Sequence, residues 1–304
     1  MMELEDVRVL AEGLAFPEGP VAMADGSVIF VEIYAGLVSR CDAAGDVSVV
    51  AEVGGGPNGA ARGPDGAIYI CNNGGRATPG GHGGPGPCIQ RVEAGTGTVR
   101  VLYTEADGIP LVGPNDLVFD DTGNFWFTDF LGDAILYASP DGRHISREVT
   151  NVPNPNGIGL SPDQSMLYWA QTHTRQVARR KIESPGVLIS SPGCSIRALA
   201  GTGAVDWDAI LVGLPGVQEL DSLAVDSSGA VCVGTLVDSG ITVVPSGGEP
   251  VEKYTLPAHI VEGAVTNLCF GGPDLMTAYV TLSLSGRLIS CRWPQPGLRL
   301  SFQE

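Results

Sequence analysis

Residues 115–130 read NDLVFDDTGNFWFTDF, in which an amide side chain begins an apolar run, a turn follows at Gly123 and a second apolar run completes the segment. Two apolar runs joined by an Asp- and Gly-containing turn predict an antiparallel β-hairpin. The pattern returns, with its turn seven or eight residues after the first residue, in the segments that begin at Glu18, Asn58, Asn156, Asp221 and Asn267. The chain therefore carries six copies of one hairpin in a constant register.

The spacing of the copies indicates the architecture. Their first residues are 40, 57, 41, 65 and 46 residues apart, and a four-stranded propeller blade takes about 40 to 50 residues. A β-sandwich also has many short strands, but it does not return one residue class at the same register. We therefore predict an all-β fold, a six-bladed β-propeller with four-stranded antiparallel blades, occupying residues 1–304 as a single domain.

The chain ends and two insertions complete this interpretation. We expect VRVLAEG (7–13) to pair within one blade with GRLISCRW (286–293) or LRLSF (298–302), which closes the ring and removes an exposed sheet edge. The Gly-rich insertion 72–87 is expected to be a flexible loop, and Trp207 of the insertion 201–220 is expected to pack over the rim of the cleft.

Composition and charge restrict the class of partner. With 34 acidic and 17 basic residues the formal net charge is −17, which should repel nucleic acids and anionic membranes. The sequence has neither an apolar stretch of membrane-spanning length nor a secretory signal, so we expect a cytoplasmic protein. The seven cysteines are scattered and include no CxxC pair, which favours neither a disulfide framework nor a zinc site.

The first residues of the six copies, which we call the anchors, all carry a side-chain oxygen: Glu18, Asn58, Asn115, Asn156, Asp221 and Asn267. Equivalent positions of a propeller surround its axis, so these side chains should converge there. Such a set suits one divalent cation, with Ca²⁺ favoured and Mg²⁺, Mn²⁺ and Zn²⁺ left open. Asn before Gly is equally typical of turns, so turn formation and ligation both remain open for each Asn alone.

Longer motifs carry a family resemblance. The segments FPEGP (16–20), GPNDLVFDDTGNFWFTD (113–129), NPNGIGLSPDQSMLYWA (154–170), LDSLAVDSSGAVCVGT (220–235) and TNLCFGGPDLMTAYVT (266–281) resemble the SMP-30/gluconolactonase/LRE family of six-bladed propellers. That family includes regucalcin, bacterial lactonases and squid-type diisopropyl fluorophosphatases, and the resemblance covers nearly the whole chain.

The resemblance implies a divalent cation at the bottom of the central cleft. Its ligands at the matching motifs would be Glu18, Asn115, Asn156 and Asp221, while Asn58 and Asn267 would line the cleft as substrate-binding residues. In regucalcin-like members an Arg two places before the Asn of the ND pair contacts a sugar-type substrate. Here that position is Gly113, which makes a sugar lactone a less certain substrate.

The chemistry implied is hydrolysis of a lactone, a cyclic ester, with Asp221 as general base toward water or, alternatively, as nucleophile. A phosphotriesterase-like hydrolase and a non-catalytic calcium-binding propeller are the alternatives. From their neighbourhood we add Ser222 and His173 as candidate substrate-binding residues. Asp116 is expected to point to the opposite side of its strand from Asn115, and Asp129 to support its blade. The expected partner is a small lactone or ester, and the oligomeric state stays open.

Overall fold

The computed structural model describes residues 1–76, 83–189 and 209–303. Its strands, in chain order, are β1 (Met2–Glu3), β2 (Glu5–Ala11), β3 (Pro17–Ala22), β4 (Val28–Glu32), β5 (Leu37–Cys41), β6 (Val47–Glu52), β7 (Pro57–Arg62), β8 (Ile68–Asn72), β9 (Cys88–Val92), β10 (Val99–Tyr103), β11 (Glu105–Ala106), β12 (Ile109–Pro110), β13 (Pro114–Phe119), β14 (Phe125–Asp129), β15 (Ala134–Ala138), β16 (Ile145–Thr150), β17 (Pro155–Leu160), β18 (Met166–Gln171), β19 (Gln176–Ser184), β20 (Val187–Leu188), β21 (Ile210–Gly213), β22 (Glu219–Val225), β23 (Val231–Leu236), β24 (Gly240–Val244), β25 (Glu252–Thr255), β26 (Val265–Gly271), β27 (Thr277–Leu282) and β28 (Arg287–Arg292).

Six antiparallel sheets, one for each sequence copy, form the blades of a β-propeller, which confirms the predicted fold class. The first three blades are β3 to β6, β7 to β10 and β13 to β16. Blade 4 contains β17, β18, β19 and β21, and β20 pairs with β19. Blade 5 contains β22 to β25 with β1 added, and blade 6 contains β26 to β28 with β2. The innermost strands β3, β7, β13, β17, β22 and β26 contact one another in ring order and surround the axis.

The hairpin turns follow from their Asp and Gly residues. In blade 3 the carboxylate of Asp120 accepts hydrogen bonds from the amides of Thr122 and Asn124 at 3.0 and 3.1 Å. Gly123 takes the left-handed φ of 86° that the turn requires. Asp226 repeats the arrangement in blade 5 with the amides of Ser228 and Ala230. These turns fix the register that the repeat revealed.

Apolar and aromatic side chains fill the spaces between blades. Tyr69 of blade 2 and Phe119 and Phe125 of blade 3 form one such contact, with ring centroids 5.0 to 5.8 Å apart. Tyr69 and Phe125 are fully buried. Burial of one such ring stabilises the fold by roughly 1.5 to 3 kcal/mol, so the ring of blades is held by its own core.

The N-terminal segment closes the ring. Strand β2 pairs antiparallel with β28, placing Val9 opposite Ile289, which confirms the predicted pairing of VRVLAEG with GRLISCRW. The alternative partner LRLSF does not enter this sheet. Strand β1 pairs parallel with β25. The first eleven residues therefore add an outer strand to each of blades 5 and 6.

The C-terminal tail crosses the face of the propeller at which the innermost strands end. The amide of Leu298 donates to the carbonyl of Val225 at 3.0 Å, and Nη1 of Arg62 donates to the carbonyl of Phe302 at 2.7 Å. The Phe302 ring packs edge-on against Phe119 with centroids 5.9 Å apart. The tail thereby covers one end of an axial cavity of about 100 Å³, lined mostly by apolar residues of the innermost strands.

Several sequence expectations concern single features of the chain. The cysteines in the described ranges are unpaired, and Cys194 lies outside them. In the same ranges no helix is long and apolar enough to cross a bilayer. Part of the Gly-rich insertion, residues 77–82, lies outside the described residues, as does Trp207 within residues 190–208.

Candidate functional site

All six anchors lie at the beginnings of the innermost strands, and each of these strands carries a register irregularity there. In blade 1, for example, Glu18 pairs with Val31 whereas Val21 pairs with Ile29, so one extra residue is accommodated between them. Blades 2 to 5 show the same shift around their anchors, and in blade 6 the shift lies just before the anchor, between Val265 and Asn267. A β-bulge bends the strand and re-aims its side chains, so neighbouring residues at the strand start need not alternate strictly between faces.

Glycines directly after the anchors allow the innermost strands to approach closely. A Cβ at Gly19, whose φ is 51°, would lie 2.5 Å from the carbonyl oxygen of Asn58. At Gly157 it would lie 2.3 Å from the amide nitrogen of Leu223. Because separations under 3.0 Å are not tolerated, these positions exclude any side chain. The close approach brings the anchors of neighbouring blades together.

Glu18 is the buried carboxyl group of blade 1. Its Oε2 atom accepts hydrogen bonds from its neighbour's amide, Gly19 N at 2.7 Å, and from Nδ2 of Asn267 at 2.8 Å. Asn267 is itself fixed, since its Oδ1 accepts the Leu268 amide at 2.8 Å. Burial nevertheless raises the pKa of Glu18, and these hydrogen bonds only partly oppose the shift. The structure thus places Asn267 directly against a predicted ligand.

Among the residues that the structure describes, no hydrogen-bond partner faces the buried side-chain oxygens of Asn115 and Asn156. The Nδ2 atom of Asn156 donates to Oγ1 of Thr172 at 3.1 Å, which fixes the plane of the amide and leaves Oδ1 free. Buried polar atoms are normally hydrogen-bonded, so two such orphans at equivalent strand starts call for an explanation. A carbonyl-type oxygen in this state is a ready ligand for a hard cation.

Asp221 is half-buried, and its neighbour Ser222 is fully buried. Burial raises the pKa of Asp221 well above its usual value, and the negative charges of Glu18 and Asp116 raise it further. The side chain of Asn156 opposes the shift by hydrogen bonding to the carboxylate. In the described part of the chain no cationic side chain forms an ion pair with Glu18 or Asp221.

Asp116 lines the axial cavity. Its Oδ1 atom accepts the Leu117 amide at 2.9 Å, and a Cβ at Gly59 would lie 2.5 Å from the same atom. Burial and the charge of Glu18 raise its pKa to about 8, while hydrogen bonds from the Leu117 amide and the Ser222 hydroxyl partly offset this. Asp116 is therefore a third acidic group near the axis.

The two remaining candidates occupy different depths. Asn58 is half-buried in the second position of β7. His173 is exposed in the loop after β18, where its Nδ1 lies 3.1 Å from Oε1 of Glu219 and its ring meets Phe130 edge-on at 6.1 Å. The structure brings Asn58 into the ring of anchors and leaves His173 above it.

A second set of polar residues supports the anchors. In blades 1 to 3 the residue paired opposite the Pro before each anchor is Glu32, Asn72 and Asp129. The Oδ1 atom of Asp129 accepts the Gly113 amide at 2.6 Å, and that of Asn72 accepts the Gly56 amide at 2.9 Å. Each side chain therefore holds the loop that leads into an anchor. The supporting role expected for Asp129 matches this contact, whereas the equivalent roles of Glu32 and Asn72 were missed, although all three lie fourteen residues after an anchor.

The donor set fits an oxygen-ligated cation better than a site built from His and Cys. In the described residues no group of three or more His, Cys, Asp or Glu side chains is arranged to hold a metal ion. The predicted set uses only two carboxylates, those of Glu18 and Asp221, with two amide oxygens. The unpartnered oxygens of Asn115 and Asn156 are the feature that such an ion would satisfy.

Comparisons with known proteins show the family of the chain. Residues 16–284 match the family described as SMP-30/Gluconolactonase/LRE-like region. A lactonase drp35 of Staphylococcus epidermidis is 26% identical over 199 residues, which are 64% of this chain and 54% of that protein. The chain spans about half the length of the curated relatives it matches.

Two solved structures share the fold. A gluconolactonase of Xanthomonas campestris superposes with a TM-score of 0.74 at 21% identity, covering 95% of this chain and 89% of that one. A calcium-binding protein, regucalcin, of Agrobacterium tumefaciens superposes with a TM-score of 0.74 at 17% identity and covers 99% of both chains. At these identities the likeness concerns the fold alone.

Proposed function

Because the chain belongs to the SMP-30/Gluconolactonase/LRE-like family, we propose that it is a divalent-metal-dependent hydrolase that opens a lactone at the central cleft. The observation that carries the proposal concerns the described residues, in which the buried side-chain oxygens of Asn115 and Asn156 have no hydrogen-bond partner and the carboxyl groups of Glu18 and Asp221 have no cationic partner. Relatives named as lactonase and gluconolactonase support the ester-opening chemistry.

Four residues would hold the cation: Glu18, Asn115, Asn156 and Asp221. Oxygen-only ligands favour a hard ion, so Ca²⁺ is preferred, with Mg²⁺, Mn²⁺ and Zn²⁺ as alternatives for the test. When bound, the ion polarises the substrate carbonyl and stabilises the negative charge that develops on its oxygen. The burial that raises the pKa of Glu18, and the burial and the charges of Glu18 and Asp116 that raise the pKa of Asp221, would then be opposed by attraction to the ion.

Asp221 is the proposed general base. Its carboxylate would take a proton from the water that attacks the lactone carbonyl and return it to the ring oxygen when the ester bond breaks. The Asn156 side chain, hydrogen-bonded to this carboxylate, would keep it oriented. Direct attack by Asp221 on the carbonyl is the alternative route, and incorporation of ¹⁸O from labelled water into the carboxylate would reveal it.

The other candidate residues take supporting roles in the proposal. Asn267 orients Glu18 through its 2.8 Å hydrogen bond and would line the cleft beside it. Ser222 and Asn58 would contact the bound ring, and His173 would contact its outer part from the rim. The partner is thus a small ester, and a cytoplasmic location stays the expectation from sequence.

A non-catalytic calcium-binding propeller is the second candidate, since the structurally similar regucalcin is described as a calcium-binding protein. The test is to dialyse the protein against a chelator and assay a panel of lactones and a phosphotriester before and after adding each ion. We expect lactone opening to return with Ca²⁺. Calcium binding without turnover of any ester would favour the binder, and hydrolysis of the phosphotriester alone would favour that activity.

Calorimetry tests the ligand assignment separately. Glu18→Gln should weaken Ca²⁺ affinity by about tenfold or more, because it removes a charged ligand while keeping its shape. Glu5→Gln, at an exposed position of β2, is the matched control and should leave the affinity unchanged. Equal affinities of Glu18→Gln and the wild type would remove Glu18 from the ligand set.

A further inference from the structure

Five hairpins that join the second and third strands of their blades end in loops of the same length. The last pairs before the loops are Glu32 with Leu37, Asp129 with Ala134, Gln171 with Gln176, Thr235 with Gly240 and Leu282 with Arg287, which leaves four loop residues each. The second loop residues are Tyr34, Leu131, His173, Val237 and Leu284. We call the four apolar ones, Tyr34, Leu131, Val237 and Leu284, the apolar collar.

The apolar collar lies on the face where the anchors begin. Glu32 pairs with Pro17, the residue directly before the anchor Glu18. Tyr34 follows Glu32 by only two residues, so its loop is close to the start of the innermost strand. Leu131 is related to Asn115 in the same way through the pair of Pro114 and Asp129. The hairpin tips therefore surround the approach to the anchors from several blades.

The three aliphatic side chains of the collar are unusually exposed for their type, whereas Tyr34 is half-buried. Leu131, Val237 and Leu284 are 47%, 62% and 67% exposed, although loop tips normally carry polar or turn-forming residues. Three aliphatic residues at one register position in three blades form a repeated feature of the face, not scattered surface residues.

Contacts within the described residues hold the collar in place. A Cβ at Gly113 would lie 3.0 Å from Cγ of Leu131, so the Leu131 side chain covers this glycine. The Tyr34 ring packs on Phe16 with centroids 4.7 Å apart. The amide of Val237 donates to the carbonyl of Gly263 at 3.0 Å. The collar is thus braced by the loops that lead into the anchors.

Two of the participating residues have strained backbones. Phe16 has a φ of 60° and Val237 a φ of 70°. The left-handed region is unfavourable for bulky and β-branched residues and is retained mainly at functional positions. Of these two residues, Phe16 lies two residues before Glu18, and Val237 belongs to the apolar collar.

The ionisable groups nearby are largely engaged with one another. Asp238 pairs with Lys253 at 2.8 Å, and His173 pairs with Glu219 at 3.1 Å. Arg287, which follows the Leu284 loop, pairs with Glu12 at 3.3 Å. The exposed aliphatic groups are therefore the part of these loops that is available to a ligand.

We propose that the apolar collar binds an aliphatic or aromatic substituent of the substrate, so that the substrates are hydrophobic lactones and not polyhydroxylated sugar lactones. This inference rests on the proposed function, because it names the substrate class of the same site. A sugar ring would place hydroxyl groups against Leu131, Val237 and Leu284, where they lose hydrogen bonds to water without replacement. An alkyl tail would instead remove apolar surface from water.

The test compares lactones with one ring and different tails. For δ-valerolactone, δ-hexalactone and δ-decanolactone we expect kcat/KM to rise by about three- to fourfold for each methylene that reaches the collar. Glucono-δ-lactone should be the poorest substrate. A specificity independent of tail length, or a preference for glucono-δ-lactone, would overturn the proposal.

Variants locate the effect. Leu131→Ser and Val237→Ser should each lower the ratio of kcat/KM for δ-decanolactone over δ-valerolactone by about fivefold or more. Val49→Ser is the control, since Val49 is a 57% exposed aliphatic residue on the outer strand β6. A ratio that falls equally in all three variants, or in none, would contradict the assignment.

Binding keeps this inference separable from the hydrolase assignment. The lactams that correspond to δ-valerolactone and δ-decanolactone resist hydrolysis, and their affinity for the calcium-loaded protein can be measured by calorimetry. Tighter binding of the pentyl-substituted lactam, lost in Leu131→Ser, supports the collar even if no lactone is turned over. Equal affinities would overturn it, as would burial of the collar between two copies in a stable dimer.

Discussion

Three acidic groups, Glu18, Asp116 and Asp221, are concentrated near one axis, and each has a raised pKa. Burial is the largest cause in every case, and the negative charge of Glu18 adds to it at Asp116 and Asp221. Uncompensated buried charges of one sign are costly, so the arrangement is informative about what the site needs. The ionisation of these three carboxyl groups therefore affects the stability of the fold and, in the proposed mechanism, the reaction.

Asp221→Asn tests the chemistry of one such group. The amide keeps the shape of the side chain but cannot accept a proton, so we expect kcat to fall by about a hundredfold or more while the fold is retained. Steady-state kinetics on the best lactone and a thermal unfolding curve are the measurements. Turnover at the wild-type rate would exclude Asp221 as base and as nucleophile.

The metal-free protein should lose stability as pH rises. A carboxyl group whose pKa is raised on folding holds its proton in the folded state and releases it in the unfolded state, so unfolding becomes more favourable between the two pKa values. For Asp116 this window runs from 3.8 to about 8, and Glu18 and Asp221 shift in the same direction. The unfolding midpoint in chelator should therefore fall by at least about 2 °C between mildly acidic and mildly alkaline buffer.

Asp116→Asn and added Ca²⁺ separate this effect from other titrations. The variant should show a weaker decline with pH than the wild type, because one of the three groups no longer ionises. Calcium should raise the midpoint most at alkaline pH, where the carboxyl groups are charged. A pH dependence identical in wild type and variant would show that Asp116 is not a source of the shift.

At the scale of elements, the strand starts depend on the supporting side chains. Asp129 is fully buried and accepts the amides of Gly113 and Gly132 at 2.6 and 3.2 Å. Asp129→Ala would leave these amides without their partner, at a cost of about 3 kcal/mol in the free energy of unfolding. It should also weaken calcium affinity, because the loop leading to Asn115 loosens.

Denaturant unfolding and calorimetry measure the two effects of Asp129→Ala. Asp141→Ala is the matched control, since Asp141 is half-exposed in the outer hairpin turn of the same blade. Loss of stability with unchanged calcium affinity would limit Asp129 to holding its blade together.

Some structural elements could be predicted from the sequence, and others could not. The hairpin register, the blade number and the closing strand all follow from periodic apolar runs and Asp-Gly turns, which act locally and leave a visible pattern. The β-bulges leave no such pattern, because an extra residue in a strand does not require any particular type of amino acid. The closeness of Asp116 to Glu18 was missed, because alternation along a strand gives the side on which a residue lies and not the blade that its side chain meets. The apolar tips were also missed, since four-residue loops become comparable only after the pairing is known.

At the scale of the whole molecule, closure of the ring depends on β2. Val9 lies opposite Ile289 in the pairing of β2 with β28. Val9→Pro removes a backbone donor and restricts the strand; loss of one ladder hydrogen bond costs about 1 kcal/mol, so the unfolding midpoint should fall by roughly 2 to 4 °C. Val9→Thr keeps the backbone donor and should unfold close to the wild type. An unaltered midpoint in Val9→Pro would show that the ring is stable without this pairing.

The C-terminal tail, which includes Leu298 and Phe302, covers one end of the propeller axis, so the two ends have different roles. In the proposed hydrolase, substrate, product and water would all pass through the opening beside Glu18 and Asp221, because the tail covers the opposite end of the axis in the described part of the molecule. Each product molecule would then have to leave before the next substrate binds. Slow release of a hydrophobic product would limit kcat, and an affinity tag fused after Phe302 would disturb the tail.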